Sequence, residues 1–295
     1  MKTALIAAAG TAALLGLSAA PASAAELEIR NAVARVVVIV EDRQDIGVEV
    51  TQGRSRLPAV QVRRHGRDVE IDGGLRRNGF LGGGSRIGAC NSGRLDAAQP
   101  GQGATVEVRD LGRIRLEDAP LIVVRTPRDV DVSAGGAVFG AVGRGARSVE
   151  LDSGGCGSWT VADVGGPVEL GVGGSGSIRA GASRSLDASV GGSGSISAGQ
   201  TGDLKVAVGG SGGVEIAGAN GRGDVSVGGS GGVNIRQGRM DKLSVAIGGS
   251  GDVRFGGTTR DLSVAIAGSG DVRVAAATGA VSRSIVGSGT VHIGR

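Results

Sequence analysis

A short phrase of glycines around one small residue returns along the chain at an almost fixed interval, and this period constrains the fold more than any other feature. Taking the residue between the glycines as an anchor gives Cys156, Ser175, Ser193, Ser211, Ser230, Ser250, Ser269 and Ser288, with Ala137 as a degenerate first member. Successive anchors lie 19, 19, 18, 18, 19, 20, 19 and 19 residues apart, so residues 120–295 read as nine repeats. Counted from each anchor, positions −7, −5, −3, +3 and +5 give 45 slots. All but Gly140, Ser153, Gly223 and Arg283 hold an apolar residue. Strict alternation of this kind is the mark of strands with one buried face. A turn of some 19 residues cannot bury that face alone. Stacked turns can, each hydrogen-bonded to the next about 4.8 Å away. The expected architecture is all-β: a single-stranded parallel β-helix, or β-solenoid, roughly 43 Å long for nine turns.

Position −1 is glycine in all nine repeats, and position +1 in all but one, where Val138 stands. If the alternation continues through the bend, these glycines face a crowded interior. If it breaks, they supply a positive φ. The anchors fall on the outward parity, so the seven serines form an exposed ladder and a candidate interaction face. Trp159 and Phe255 fall on inward slots and Phe139 on an outward one.

Residues 25–72 read as short strands ("LEIRN", "RVVVIVE", "IGVEVT", "AVQVRR", "DVEID") that cap the first turn, with "RRHGR" as a solvated hairpin turn. Residues 73–119 form a long Gly-rich insertion. It carries Cys90, and the second cysteine, Cys156, stands at an anchor. In an oxidising compartment two isolated cysteines most simply pair, stapling the insertion to the second repeat. The C-terminal "TVHIGR" has no evident cap, which leaves an edge open to self-association.

The N-terminus indicates such a compartment. Lys2, the apolar run Ala4–Leu17 and the small-residue site Ala22-Ser23-Ala24 make a secretory signal peptide over residues 1–24. No later stretch has transmembrane length. The expected product begins near Ala25 and is periplasmic or extracellular. Lysine plus arginine total 32 against 28 acidic residues, in mixed order, and aromatic residues make up 1%. This excludes a basic, base-stacking surface, so no nucleic-acid partner is expected.

Several chemistries compete for the glycine phrase. In "GGSGDVRF" it approaches the calcium nonapeptide of toxin repeats, but Asp252 and Asp271 stand one place early and Arg254 and Arg273 lie on their outward face. No helix or "GK[ST]" follows to make a phosphate loop. Asp252 and Asp271 are also the acidic pair available to a polysaccharide-cleaving enzyme; the alternative is an ordinary ladder answered by arginine. His65 and His292 have no partners at metal-ligand spacing. No catalytic residue, metal or cofactor is expected.

The order of signal peptide, "GRDVEIDG", "PLIVVRTP" and repeated "GSGDV" or "GSGSI" resembles the bacterial GIN-domain family, described as proposed autotransporter adhesin heads. The resemblance runs over roughly Glu26–Arg295 apart from residues 73–119. It implies a right-handed parallel β-helix in the cell envelope, adhesin-like and without established catalytic residues. The insertion and the cysteine pair depart from it. The expected role is structural, adhesive or interactive, toward an envelope protein or glycan. The alternative is a polysaccharide-active enzyme on the same scaffold.

Overall fold

The computed structural model describes residues 24–76, 86–91, 93 and 99–294. The expected signal peptide of residues 1–24, apart from Ala24, and parts of the insertion lie outside them. Through the repeats, every strand pairs in parallel with its counterpart one turn away, in register. Ser185–Val190 lies on Asp203–Val208, and Ser195–Thr201 on Gly213–Ala219. This is a β-solenoid of about nine turns. The alternating slots fill one continuous aliphatic core that runs the length of the rod. Trp159 and Phe255 are buried in it.

The N-terminal region does more than cap. Strand β1 (Glu26–Val40) stacks in parallel on the first repeat strand along both of its halves, with Leu27 opposite Val132 and Val38 opposite Val142. It is therefore a further turn. Its bend carries no glycine phrase: a register shift between Ile29 and Ala32, with Asn31 at φ +50°, takes the corner instead. Three short strands follow: β2 (Gly47–Thr51), β3 (Gln61–His65) and β4 (Asp68–Asp72). Strand β4 lies in parallel on the first half of β1, with Ile29 opposite Ile71.

The insertion holds a three-stranded antiparallel sheet of β5 (Ile87–Asn91), β6 (Thr105–Val108) and β7 (Gly112–Arg115). The chain then returns as β8 (Leu121–Thr126) on the second half of β1, with Val36 opposite Ile122. So β4 and β8 together make one more turn, split at its bend, and the insertion leaves through the split. Strands β2 and β3 pair antiparallel with β8 and β4 and close that end. "RRHGR" spans the β3–β4 hairpin, with Gly66 at φ +66°. At the other end, Val281–Gly287 and Thr290–Ile293 each pair with the preceding turn. Val286 there is 73% exposed.

Candidate functional site

The bend needs its glycines for backbone stacking, and at one of the two positions for the crowded interior as well. From Gly136 to Gly268 the carbonyl of the −1 glycine accepts one or two N–H groups from the next turn, two of them at Gly155, Gly174, Gly192, Gly229 and Gly268. The Gly155 carbonyl takes the Ser175 and Gly176 amides, both at 3.0 Å; the Gly192 carbonyl takes Ser211 and Gly212, both at 3.1 Å. A Cβ on the next −1 glycine would point along the rod axis into that same oxygen. Gly174 would meet Gly155 O, Gly210 would meet Gly192 O, and Gly249 would meet Gly229 O. The +1 glycines face the same obstruction from the +1 carbonyl before them, as Gly231 does from Gly212. At the −1 position the reason is the close stacking of one backbone on another, since Gly174, Gly192, Gly210 and Gly229 have no positive φ. At the +1 position the crowded interior adds to it: a Cβ on Gly194, Gly212, Gly231 or Gly251 would also strike a core valine methyl.

Outside the glycines, Ser175, Ser193, Ser211, Ser230, Ser250, Ser269 and Ser288 are all exposed, forming a column along the rod. One hydroxyl pair, Ser211 with Ser230 at 3.2 Å, bonds across turns among the described residues. The column begins where the insertion ends. At the covered turns the anchor position holds Val33, Ala137 and Cys156. Val33, Ala137 and Phe139 are buried in a second core with Val106, Ile114 and Leu116 of the insertion. Cys90 and Cys156 form a disulfide, with Cα atoms 5.9 Å apart and a sequence separation of 66. Hydrophobic burial thus seats the insertion, and the disulfide marks the edge of its footprint.

Asp252 and Asp271 lie on consecutive turns but do not converge on open space. The Asp252 Oδ1 accepts the Asp271 amide at 2.9 Å. The Asp271 Oδ1 accepts the Thr290 amide at 3.1 Å and the Thr290 hydroxyl at 2.6 Å. The Thr290 hydroxyl, with Arg273 at 3.1 Å behind it, holds the Asp271 carboxyl below its ordinary range. Arg254, expected to answer Asp252, makes no ion pair with it among the described residues. The backbone of the next turn does so instead. Beside these aspartates a shallow trough of about 540 Å³ runs under the serine column, lined by Ser211, Ser230, Glu215, Asn234, Arg254 and Arg273.

A second polar column was not read from the sequence. On the other sheet, register stacks Glu26, Asp131, Glu150, Glu169 and Asp187 on successive turns. Asp187 is answered by Lys205 at 2.6 Å. The nearby arginines are spent elsewhere: Arg30 on Glu28 and Glu70, Arg147 on Asp129. Burial first, then Glu150 and Glu26, pushes Asp131 up to about 6. Burial and Glu169 raise Glu150 as well. The carboxylates border a trough of about 480 Å³ that Ala24 also lines. No group of His, Cys, Asp and Glu among the described residues has the arrangement to hold a metal ion.

The class these features define is an all-β parallel solenoid with a disulfide-fastened side module. No family model matches the chain, and no curated protein matches it. Among solved structures it is similar to a candidate lipid-binding protein from Parabacteroides distasonis, with a TM-score of 0.53 and 17% identity over 92% of this chain and 93% of that one. It is also similar to a candidate adhesin from the same organism, with a TM-score of 0.48 and 16% identity over 92% and 93%. The first likeness is one of fold. No helix among the described residues is long and apolar enough to cross a membrane.

Proposed function

We propose that the chain is an exported, non-enzymatic β-solenoid of the cell envelope or its exterior, built to present a surface to an envelope protein or glycan. The observation that carries this reading is the exposed serine column with its adjoining trough, a long, shallow and rigid strip. The −1 glycine carbonyls from Gly136 to Gly268 are already engaged between turns. A disulfide supports an oxidising compartment, and the leader-like N-terminus supports export. The same reading includes self-association through the strand Val281–Gly287, where Val281 and Ile285 are 41% and 40% exposed. The competing reading, a polysaccharide-active enzyme, would need Asp252 and Asp271 for chemistry; both are committed to the backbone of the next turn.

The test uses the mature protein on immobilised envelope glycans and envelope-derived vesicles, with a Ser211→Arg/Ser230→Arg variant as control. Binding that the variant loses supports the strip. A hydrolase or lyase activity on the same glycans that disappears in Asp252→Asn/Asp271→Asn would overturn the non-enzymatic reading.

A further inference from the structure

Among the described residues no side-chain cation pairs with Asp131, Glu150 or Glu169, and the expected leader cleavage site lies beside them. Ala24 lines the trough beside Asp131, Glu150 and Glu169. Ala25, the next residue, is 3% exposed and belongs to the core. Glu26, after it, pairs in register with Asp131 and donates its amide to the Asp68 Oδ1 at 3.0 Å. The Ala25 nitrogen is thus one residue from an atom already bonded to Asp68, a separation of under ~4 Å along the chain. Two carboxylates flank the next residue, Glu26: Asp68, which accepts its amide, and Asp131, opposite it in register; neither has an ion pair among the described residues.

We infer that the α-amino group released by cleavage after Ala24 becomes the missing cation of this column, so that removal of the leader completes the electrostatics of the first turn. In the uncleaved chain that nitrogen is a neutral amide. Water adds across the Ala24–Ala25 bond, supplied by the peptidase reaction itself. The carboxylate leaves with the leader, and the amine stays on Ala25, protonated at neutral pH. A buried ammonium is costly unless paired, and Asp68 and Asp131 provide the pairing.

The other charged groups packed around the site do not compete for it. On β1, Glu28 is held by Arg30. On β4, Glu70 takes the same arginine and also Arg63. On the first repeat strand, Asp129 is held by Arg147 and Ser148. On the next strand, Glu150 and Asp152 add negative potential only. The device makes the precursor less firmly folded at its N-terminal end than the product, in the sense that suits a chain exported before it folds. This goes beyond the proposed surface role and does not depend on it; it rests on the reading of the leader.

The experiment starts with intact mass of the exported protein, expected to begin at Ala25. An NMR titration of Ala25 should then place the α-amino pKa about one unit above its ordinary ~7.7–8.0. Selective acetylation of that amine should raise the unfolding constant about tenfold at pH 7. In an Asp68→Asn/Asp131→Asn background the acetylation effect should shrink to under twofold. A start at another residue, an α-amino group titrating at its ordinary value, or an acetylation effect unchanged in the double variant would each overturn the inference. The titration is made on unmodified protein, so it decides the question even if a variant fails to fold.

Discussion

Two adjacent glycines in one bend should differ sharply in what they tolerate. In "VGGSG", Gly209 is the −2 residue and Gly210 the −1 residue. Neither has a φ in the left-handed region, so alanine carries no backbone strain at either. A Cβ on Gly209 would find only the Val190 carbonyl, 4.0 Å away. A Cβ on Gly210 would strike the Gly192 oxygen, the one that accepts Ser211 and Gly212 at 3.1 Å each. Relief requires the turns to part and those two bonds to lengthen or break. At ~1 kcal/mol net for each bond, plus a partial desolvation penalty on the freed groups, Gly210→Ala should cost about 3 kcal/mol. For a chain of this size that is roughly 6–12 °C in Tm. Gly209→Ala should be neutral or stabilising by up to about 1 kcal/mol, through the unfolded state. The natural sequence already varies the −2 position, with Ala267 and Val286 in the last two turns. Scanning calorimetry of the two variants side by side is the assay. Equal Tm values for both, whether unchanged or lowered alike, would refute the stacking explanation.

Other consequences can be measured in the same way. In amine-blocked protein, Asp131 has its folded pKa raised from 3.8 to about 6. Its contribution is therefore greatest below pH ~4 and is lost as pH rises through 6. The full shift corresponds to about 3 kcal/mol, which solvent screening of a partly exposed side chain reduces to about 1. Asp131→Asn should remove that part of the pH dependence in denaturant melts at pH 4 and pH 7. Cys156→Ser puts the usual anchor residue back in the column, so its cost isolates the disulfide: about 4 kcal/mol from loop entropy for a 66-residue separation. Limited proteolysis should then cut first within residues 73–119. Finally, a Cβ on Gly140 would enter the Trp159 ring. Gly140→Ala should cost about 2 kcal/mol in the natural background and close to nothing with Trp159→Val, read as a double-mutant cycle in urea.

The solenoid was legible because parity and period agree over nine repeats, and three of the four slots that broke the pattern prove to be informative. Gly140 makes way for Trp159. Gly223 makes way for Met240 and Leu243. Arg283 sits in the last turn, whose inner face is exposed. Ser153 is simply buried, between Ala134 and Val172. The first two turns were harder to see. Strand β1 replaces the glycine bend by a bulge at Asn31, and the turn above it is interrupted by the insertion between Asp72 and Leu121. The acidic column was missed for a different reason. Each member looks like one solvent-facing acid among polar neighbours, and only register brings them together. Reading position −6 down the repeats would have found it: Asp131, Glu150, Glu169 and Asp187 in sequence, before Lys205 breaks the run. The anchor column carried its own message in plain view. It changes from Val, Ala and Cys to Ser where the insertion stops covering it.

The split turn has a wider meaning. Strands β4 and β8 sit correctly on β1 although no short bend joins them, so lateral bonds to a neighbour, not chain continuity, are what place a turn. The bend of this turn is thus a splice point. Rod length and side-module content are then separable, provided the outward residues under the module change to seat it, as Val33, Ala137, Phe139 and Cys156 do here.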